Sequence, residues 1–415
     1  MNRFVYSLLL YLALPFVPLK LLWRGIKQPA YRQYWGERFG FYTIKISKPI
    51  IWLHCVSVGE TRAAEPLVRD LQLQYPQHQI LLTHGTPTGR DASEALFGSS
   101  VLRVYLPYDL PFAVNHFLAH FQPKIGLIME TELWFNLIAA CKKHEVPLLL
   151  LNARLSEKSA SGYAKLGKLA REGVQNLSAI AAQTSDDANR LQNLGAQNIS
   201  VAGNLKFDVK PPADSVDKGL QLRKLLGENR TIFLAASTRE GEEELILEAI
   251  KDLNILTVIV PRHPQRFNDV ESMIRIAGFQ YQRRSKLIEP IDKNTQVILG
   301  DSMGELFTYY AACDFTLVGG SLLPYGGQNL IEAAVMGKPI LIGTHTHNFK
   351  QASKDAVEIG AAVRINGFIE LREKIQYLLN NTLKRVEMSQ AAVAFSDASN
   401  GATARLMPLI ARYIN

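Results

Sequence analysis

The chain of 415 residues has only three cysteines, which lie far apart at Cys55, Cys141 and Cys313. It has no CxxC pair and no even set of cysteines for a disulfide framework. This usage fits a reducing compartment and excludes a thiolate zinc site. Glycine and proline are scattered without a period, which excludes a collagen-like chain. With 47% hydrophobic and 20% charged residues, the composition is globular, and the length predicts two domains.

Several common catalytic and cofactor motifs are also missing. The first predicted strand is not followed by GxGxxG, so a dinucleotide fold would have no phosphate turn. The Gly-Lys pair at 337–338 precedes a proline, which excludes a P-loop. Ser57 and Ser156 have no GxSxG context, and no loop carries a DxD pair. His345 and His347 have no third ligand nearby, so we predict no metal and no cofactor.

Most of the excess positive charge lies in the first 45 residues. The net charge is +8, and residues 1–45 hold seven Lys/Arg against one acid, Glu37. The remaining chain is therefore almost balanced. A nucleic-acid binder carries its positive charge on the folded body, so no nucleic-acid partner is expected.

The N-terminus combines this charge with an uncharged run of 16 residues at 4–19. A membrane span needs roughly 20 apolar residues, so the run suffices only if Lys20 snorkels and 21–23 join it. No small-x-small site follows, which disfavours a cleaved signal peptide. We predict a single-pass membrane anchor, with a basic, aromatic collar on its cytoplasmic side. A helix lying in the interface, or one packed on the protein body, remains an alternative, because Pro15 and Pro18 kink the run.

From residue 49 onward, short apolar runs alternate with amphipathic stretches. Continuous β-branched runs bounded by turns are typical of parallel strands buried on both faces. The pattern stops at a proline-rich linker, 208–219, and then starts again. We therefore predict an α/β fold with two doubly wound, Rossmann-like domains facing a cleft. The predicted segments are 1–45 (anchor and collar), 46–210 (first domain), 211–395 (second domain) and 396–415 (a helix that packs back on the first domain).

Three charged residues follow predicted strands of the first half: Glu60, Glu130 and Lys206. Each has a purely structural explanation. Glu60 suits a helix cap, Glu130 an ion pair with a basic partner, and Lys206 a solvated charge. Ligands of such sheets bind where strands end, so three charged residues at strand ends also indicate a reaction site. From the sequence alone, the catalytic and the structural interpretations have about equal weight.

The second half has the features of a nucleotide site. Two glycines precede Asn329 at a predicted helix start, where exposed backbone amides attract phosphate. Arg262 and His263 follow a buried strand, and an arginine there can pair with a phosphate. Helix capping is the competing explanation, because three pairs have capping-box spacing. These pairs are Ser237 with Glu240, Ser302 with Glu305, and Asn329 with Glu332.

Several motifs occur together in an order that resembles one family. They are HCVSVGE, METELWFNL, NARLSEKS, GNLKFD, PRHPQRF, GDSMGEL and GGQNLIEAAVMGKPILIG. Over essentially its whole length the chain resembles the 3-deoxy-D-manno-octulosonic acid (Kdo) transferases of the lipid A pathway. The resemblance implies a GT-B fold whose first domain takes the lipid acceptor and whose second takes CMP-Kdo. It also implies an inverting, metal-independent transfer to lipid IVA at the membrane surface.

The resemblance also assigns roles to residues. Glu60 looks like the catalytic base, and Glu130 and Lys206 look like groups that steady the transition state. The residues similar to CMP contacts are Arg262, His263, Met303, Gly304, Glu305, Asn329, Leu330, Ile331 and Glu332. The chain departs from the family pattern at Phe135, where proline is usual, and at Gln328, where histidine is usual. Glutamine cannot carry a proton or a charge as histidine can. We therefore expect the contacts of residue 328 with the donor to differ from those usual in the family.

Two other functions stay open at this point. One is a GT-B transferase or epimerase that uses a UDP-sugar. The other is a catalytically inactive scaffold held at the membrane, although acids and a lysine at three separate strand ends disfavour it.

Overall fold

The computed structural model describes residues 1–414, which form two compact units. Unit 1 comprises residues 1–208 together with the chain from residue 400 onward, and unit 2 comprises residues 209–399. Residues 1–45 belong to unit 1. Each unit has one parallel sheet of seven strands, so the predicted doubly wound architecture is confirmed.

The sheet of unit 1 has the strand order β3-β2-β1-β4-β5-β6-β7, with all neighbours parallel. Its strands are β1 (Ile50–His54), β2 (Gln79–His84), β3 (Leu102–Tyr105), β4 (Ile125–Met129), β5 (Leu148–Ala153), β6 (Ala179–Ala182) and β7 (Ile199–Val201). The central strands are buried on both faces, as their continuous apolar runs predicted. Alternate residues of β1 feed opposite cores: Trp52 packs on one side of the sheet and Leu53 on the other.

Helices cover both faces of this sheet. The helices of residues 1–208 are α1 (Arg3–Ala13), α2 (Phe16–Lys27), α3 (Trp35–Arg38), α4 (Val58–Ala63), α5 (Glu65–Gln74), α6 (Pro87–Phe97), α7 (Pro111–Phe121), α8 (Phe135–Lys143), α9 (Glu157–Ala164), α10 (Lys168–Gln175) and α11 (Ser185–Asn193). Right-handed crossovers between parallel strands require helices in these positions. The helices that lead out of β1, β2 and β4 therefore begin at the carboxyl edge of the sheet.

Unit 2 has a similar sheet, with the strand order β10-β11-β9-β8-β12-β13-β14. It differs from the sheet of unit 1 in that its fourth strand, β11, lies between its third strand, β10, and its second, β9. Its strands are β8 (Ile232–Thr238), β9 (Leu256–Pro261), β10 (Tyr281–Arg283), β11 (Val297–Leu299), β12 (Phe315–Val318), β13 (Ile340–Ile342) and β14 (Ala362–Arg364). Its helices are α12 (Ser215–Leu226), α13 (Glu242–Ile250), α14 (Phe267–Ile276), α15 (Leu306–Ala312), α16 (Ile331–Val335), α17 (Lys350–Glu358), α18 (Gly367–Asn380) and α19 (Thr382–Ser399). The sequence did not predict β10, a short, partly exposed edge strand without an apolar run.

The N-terminal run does not form the continuous span that the sequence predicted. It breaks at Leu14 and Pro15 into α1 and α2, because proline has no N–H to extend the first helix. Among residues 1–414, no single helix is both long and apolar enough to cross a bilayer. α1 and α2 meet that requirement only as a pair, across a bend of 56°.

The inner side of α1 packs on the body of unit 1. The Tyr6 hydroxyl donates to Asp109 Oδ2 at 2.9 Å, and the Tyr6 ring meets Phe135 edge-on at 5.3 Å. Ser7 donates to Asn136 Oδ1 at 3.0 Å. The packed-helix alternative therefore describes this side of α1, while its other side leaves large apolar side chains exposed.

The last helix, α20 (Ala402–Ala411), lies in unit 1 although all of unit 2 precedes it in the chain. Its residues Leu406, Met407 and Ile410 join the core beside α5. Asp208 caps its start, accepting the N–H groups of residues 401 and 402 at 2.7 and 3.0 Å and that of residue 403. The Asp208 carboxylate thus ties the end of the first segment of unit 1 to the second.

Candidate active site

The first candidate site lies at the carboxyl edge of the unit 1 sheet, between β1 and β4. These strands are parallel neighbours at the point where the strand order reverses. Their following loops, one leading into α4 and the other into α8, therefore start side by side. Ligands of doubly wound sheets bind at such switch points.

Glu60 lies in the first turn of α4 and is only 8% exposed. Its Oε2 accepts the Val56 N–H at 2.7 Å, and its Oε1 accepts the Ser57 hydroxyl at 2.9 Å. Ser57 Oγ in turn accepts the Glu60 N–H at 3.4 Å, so the capping interpretation is correct for this residue. These bonds also hold the carboxylate in one orientation. Burial raises the pKa of Glu60 above its ordinary value, which makes it a better proton acceptor.

Glu130 and Lys206 form an ion pair close to Glu60. Lys206 Nζ lies 3.5 Å from Glu130 Oε1, and both side chains are about one-third exposed, at 28% and 32%. Both charges act on the pKa of Glu60, although less than burial does: Glu130 raises this pKa and Lys206 lowers it. The structure therefore brings together the three residues that the sequence selected. Of their structural explanations, the ion pair of Glu130 is observed, and Lys206 is its partner rather than an isolated solvated charge.

The backbone around this ion pair has an uncommon conformation. Glu130 has a φ of 56°, in the left-handed region that residues other than glycine rarely adopt. Asn152, at the end of β5, has a φ of 53° and accepts the Leu205 N–H on its Oδ1 at 3.0 Å. That bond fixes the short 3-10 turn 205–207, which carries Lys206. Strained backbone of this kind concentrates at functional sites, where surrounding contacts maintain it.

Glu132 is a fourth charged member of this cluster, to which the sequence reasoning gave no role. Burial, followed by the like charges of Glu60 and Glu130, raises the pKa of Glu132 to about 7. A carboxylic acid with this pKa can hold or release a proton near neutral pH. The available signal was its spacing, two residues after a strand-end acid in the METE motif.

The second candidate site lies at the corresponding place in unit 2, where β8 neighbours β12. The loop after β12 contains the glycine-rich turn 319–329, and one close approach requires glycine there. A Cβ at Gly319 would lie 2.4 Å from the Ser237 carbonyl oxygen. Ser237 is itself left-handed, with a φ of 57°.

Glu242 organises this turn, a role that the sequence reasoning missed. The side chain is fully buried at the start of α13. Its Oε2 accepts the N–H groups of Gly320 at 2.6 Å and Arg239 at 2.8 Å, and its Oε1 accepts that of Leu322 at 2.9 Å. Burial raises the pKa of Glu242, against the lowering effect of these three donors. The carboxylate thus joins the loops that follow β8 and β12.

Arg262 and His263 follow β9, as predicted. The Arg262 N–H donates to the Thr238 carbonyl at 3.0 Å, which ties this loop to the end of β8. Burial and then the charges of Arg239, Arg262 and Arg266 lower the pKa of His263. The lowered pKa favours the neutral imidazole, and the positive charge of the three arginines suits an anion.

The other predicted donor contacts lie in two loops. Residues 303–305 follow β11, the neighbour of β9, so they begin beside the loop of Arg262. Glu305 pairs with Arg284 at 2.9 Å, and Met303 is 61% exposed. At the start of α16, Asn329 Nδ2 donates to Glu332 Oε1 at 3.2 Å, while Leu330 and Ile331 are buried.

Two of the three pairs with capping-box spacing in unit 2 do not form a cap. α13 starts after Gly241 rather than Ser237, and the start of α15 has no side-chain cap. Asn329 accepts the Ile331 N–H at 3.1 Å, but α16 begins after Leu330. Capping therefore does not account for Ser237 or Ser302, whereas Asn329 does make capping contacts at the start of α16. Within residues 1–414, no three histidine, cysteine or carboxylate side chains are arranged to hold a metal ion.

The two departures from the family pattern have clear surroundings. Phe135 packs against Tyr6 of α1, and a Cβ at Gly173 would lie 2.8 Å from its ring. A large side chain at residue 135 is thus matched by a glycine on α10. The Gln328 N–H donates to the Gly319 carbonyl at 2.9 Å, so this residue closes the glycine-rich turn through its backbone.

Two parallel seven-stranded sheets with their switch points define an α/β fold of the GT-B type. The UDP-GlcNAc 2-epimerase of Neisseria meningitidis has a similar fold, with a TM-score of 0.57 and 16% identity over 88% of this chain and 100% of that chain. A glycosyltransferase from Rickettsia africae aligns with a TM-score of 0.56 and 14% identity over 89% of this chain and 99% of that chain. At these identities the likeness concerns the fold alone.

Comparison of sequences identifies the family. The 3-deoxy-D-manno-octulosonic acid transferase of Haemophilus influenzae is 39% identical over 100% of this chain and 99% of that protein. The enzyme of the same name from Bordetella pertussis is 40% identical over 98% of each chain. A family model described as 3-Deoxy-D-manno-octulosonic-acid transferase (kdotransferase) matches residues 33–209. The chain belongs to the Kdo transferase family, which confirms the resemblance inferred from its motifs.

Proposed function

We propose that this chain transfers Kdo from CMP-Kdo to lipid IVA, during synthesis of the lipopolysaccharide inner core. The transfer inverts the configuration of the reacting carbon and uses no metal ion. The observation that carries the proposal is the meeting of Glu60, Glu130 and Lys206 at the switch point of unit 1. The transferred sugar is assigned as Kdo because the chain belongs to the Kdo transferase family.

Glu60 is assigned the role of general base. It removes the proton from the acceptor hydroxyl, whose oxygen attacks the sugar on the face opposite the leaving group. The bond from the sugar to the CMP phosphate breaks, and CMP leaves with the electron pair. The bonds from Val56 and Ser57 keep the carboxylate oriented for this step, and its raised pKa favours accepting the proton.

Lys206 and Arg262 are assigned the role of stabilising the negative charges of the donor. The reaction concentrates charge on the departing phosphate, and the Kdo carboxylate carries a further charge. Glu130 holds Lys206 in place at 3.5 Å while leaving both side chains accessible to solvent. A cation placed in this way lowers the free energy of the transition state without a metal ion.

The donor nucleotide is assigned to unit 2. Its proposed contacts are Arg262, His263, Met303, Gly304, Glu305, Asn329, Leu330, Ile331 and Glu332. Support comes from the Glu242 carboxylate, which fixes the neighbouring glycine-rich turn, and from the positive charge of Arg239, Arg262 and Arg266, which lowers the pKa of His263. Backbone amides and guanidinium groups together neutralise phosphate.

We further propose that α1 and α2 attach the chain to the cytoplasmic face of the inner membrane by lying in its interface. Support comes from exposed apolar side chains along both helices, namely Phe4, Leu8, Leu12, Phe16, Leu19, Trp23 and Ile26. The basic residues that follow suit an anionic leaflet, at about 1 kcal/mol per Lys/Arg near the surface. A lipid acceptor would reach the site from the same surface.

The decisive experiment is incubation of the full chain with CMP-Kdo and lipid IVA, followed by mass measurement of the product. A gain of one or more Kdo units on lipid IVA supports the proposal. CMP, and not UDP, is expected to protect the protein against thermal unfolding. Protection by UDP alone would favour a UDP-sugar enzyme, and the absence of product with bound CMP would favour an inactive scaffold.

A further inference from the structure

A groove of about 690 Å³ runs between α1 and helices α7 and α8 in unit 1. Its size falls within the range of about 300–1,000 Å³ that is usual for small-molecule sites. The apolar side of the groove is formed by Phe4, Leu8 and Tyr11 of α1 and by Ala139 and Ala140 of α8. Phe4 and Leu8 are also 77% and 48% exposed, so the groove is continuous with the exposed apolar surface of α1.

The two asparagines and the serine that line the groove are already hydrogen-bonded within the protein. Asn136 accepts from Ser7 at 3.0 Å and donates to the Asp109 carbonyl at 2.7 Å. Asn115 donates to the Pro111 carbonyl at 2.6 Å, and its Oδ1 lies 2.9 Å from His144 Nε2. A polar occupant would therefore find few unused partners here, whereas an apolar chain would leave no buried polar group without one.

Two cations on the groove have no such partner. Arg3 and Lys143 line it, and among the described side chains neither forms an ion pair or a hydrogen bond. Lys143 ends α8, about 10 Å along the helix axis from Asn136. The groove thus combines an apolar floor with unpaired positive charge, which is complementary to a lipid that has an anionic headgroup.

We propose that this groove binds one acyl chain of an anionic membrane phospholipid, whose phosphate is held by Arg3 and Lys143. The inference rests on the interfacial attachment of α1 proposed above. The occupant is a lipid of the bilayer rather than the sugar acceptor, because Glu60, Glu130 and Lys206 do not line the groove. A bound lipid would fill the space between α1 and α8 and extend the contact of α1 with unit 1.

The test uses the full chain in detergent, with phosphatidylglycerol as the anionic probe and phosphatidylethanolamine with the same acyl chains as the zwitterionic probe. Native mass spectrometry counts the lipids retained per chain. We expect one phosphatidylglycerol to be retained at concentrations where phosphatidylethanolamine is not. Equal retention of the two lipids, or no retention of either, would overturn the proposal.

Paired variants locate the lipid. Ala139→Trp fills the groove and should lower retention at least tenfold, whereas Ala119→Trp, on the exposed side of α7, should not. Lys143→Gln should reduce the preference for the anionic lipid about tenfold, the size of one charge-assisted contact. Lys142→Gln removes the same charge at the adjacent position, outside the groove, and should leave the preference unchanged.

The lysine pair is decisive if Ala139→Trp does not fold, because Lys143 is an exposed surface residue. Equal behaviour of Lys143→Gln and Lys142→Gln would place the lipid elsewhere. Failure of the proposed function has a different signature. If wild type makes no product from CMP-Kdo and lipid IVA but retains the lipid as described, the enzymatic assignment is wrong and the groove assignment stands.

Discussion

The carboxyl edges of the two sheets use glutamate in opposite ways. In unit 1, Glu130 and Lys206 remain partly exposed, and Glu60 lies beside them with a raised pKa. In unit 2, Glu242 and Glu243 are fully buried. Both oxygens of Glu242 accept backbone N–H groups, and both oxygens of Glu243 bond the Arg266 guanidinium. One edge presents acids that can exchange protons, and the other uses acids to hold loops that present nitrogen donors.

This difference matches the two halves of the proposed reaction. An acceptor hydroxyl has to lose a proton, which requires an available carboxylate. A nucleotide phosphate requires donors and positive charge, and an exposed acid beside it would repel it. Burial of Glu242 and Glu243 behind their own hydrogen bonds removes the repulsion that these two acids would exert. The same strand topology therefore supports either chemistry, according to where its acids are placed.

The largest expected effect is that of Glu60→Gln. The amide keeps the size of the side chain but cannot accept a proton, so the transfer rate should fall about 10²–10⁴-fold. CMP binding, assigned to unit 2, should not change. The measurement is kcat with CMP-Kdo and lipid IVA, together with calorimetry of CMP.

Glu65→Gln, on the surface of α5, is the matched control and should keep full activity. Near-normal turnover in Glu60→Gln would transfer the role of base to another acid of the cluster.

Glu242→Gln should have the opposite pattern. The amide nitrogen would face backbone N–H groups that now donate to a carboxylate, which leaves buried donors without acceptors. We expect CMP affinity to fall roughly 10–100-fold as the glycine-rich turn loosens, while turnover at saturating donor falls much less. Calorimetry and the separation of KM from kcat provide the measurement.

The exposed neighbour Glu244 supplies the control as Glu244→Gln. If Glu242→Gln lowered kcat and left CMP affinity intact, the contrast between the two edges would not hold.

The next effect concerns pH and Glu132. Its pKa of about 7 in the folded protein exceeds the ordinary 4.5, so the folded chain binds a proton that the unfolded chain releases. Stability should therefore fall as pH rises from about 4.5 to about 7. Glu132→Gln cannot ionise, and should raise the free energy of unfolding at pH 8 by on the order of 1–2 kcal/mol, with little change at pH 4.

Denaturant titrations at the two pH values measure this difference. The exposed Glu157→Gln serves as the comparison, and an equal gain for both variants would show that Glu132 is not special.

The smallest expected effect is none at all. Dialysis against a chelator should leave the transfer rate unchanged, because lysine, arginine and backbone amides are assigned the charge that a metal would neutralise. The assay is repeated with added magnesium. A rate that falls on chelation and returns with magnesium would contradict the metal-independent mechanism.

Sequence alone predicted the sheets well because their strands are buried on both faces and appear as continuous apolar runs. β10 was missed because its three residues are partly exposed and have no such run. The spacing of Ser57 and Glu60 matches a cap that forms, yet the spacing of Ser237 and Glu240 matches one that does not. Ser237 has a left-handed backbone, and α13 starts later, at the residue whose carboxylate binds the turn around Gly320. The capping-box spacing considers residues three positions apart, so it cannot predict a hydrogen bond between Glu242 and Gly320.

The site shows the same division. Strand ends predicted the positions of Glu60, Glu130 and Lys206, since parallel strands deliver their loops to one edge. The raised pKa of Glu132 and the bonds of Glu242 depend on groups brought close by folding. The break in the N-terminal run was signalled by Pro15, but only the structure shows α1 held by Tyr6 and Ser7.

The return of α20 to unit 1 has a consequence for the order of synthesis. Ribosomes deliver the residues of β1 to β7 before those of unit 2, and α20 follows both. Until α20 emerges, the core beside α5 lacks Leu406, Met407 and Ile410, and Asp208 lacks the N–H groups it caps. Unit 2 is contiguous and can complete its fold first, whereas unit 1 has to wait with an apolar face uncovered. A ribosome that stalls shortly before α20 would therefore leave a chain whose first-made half is the unfinished one.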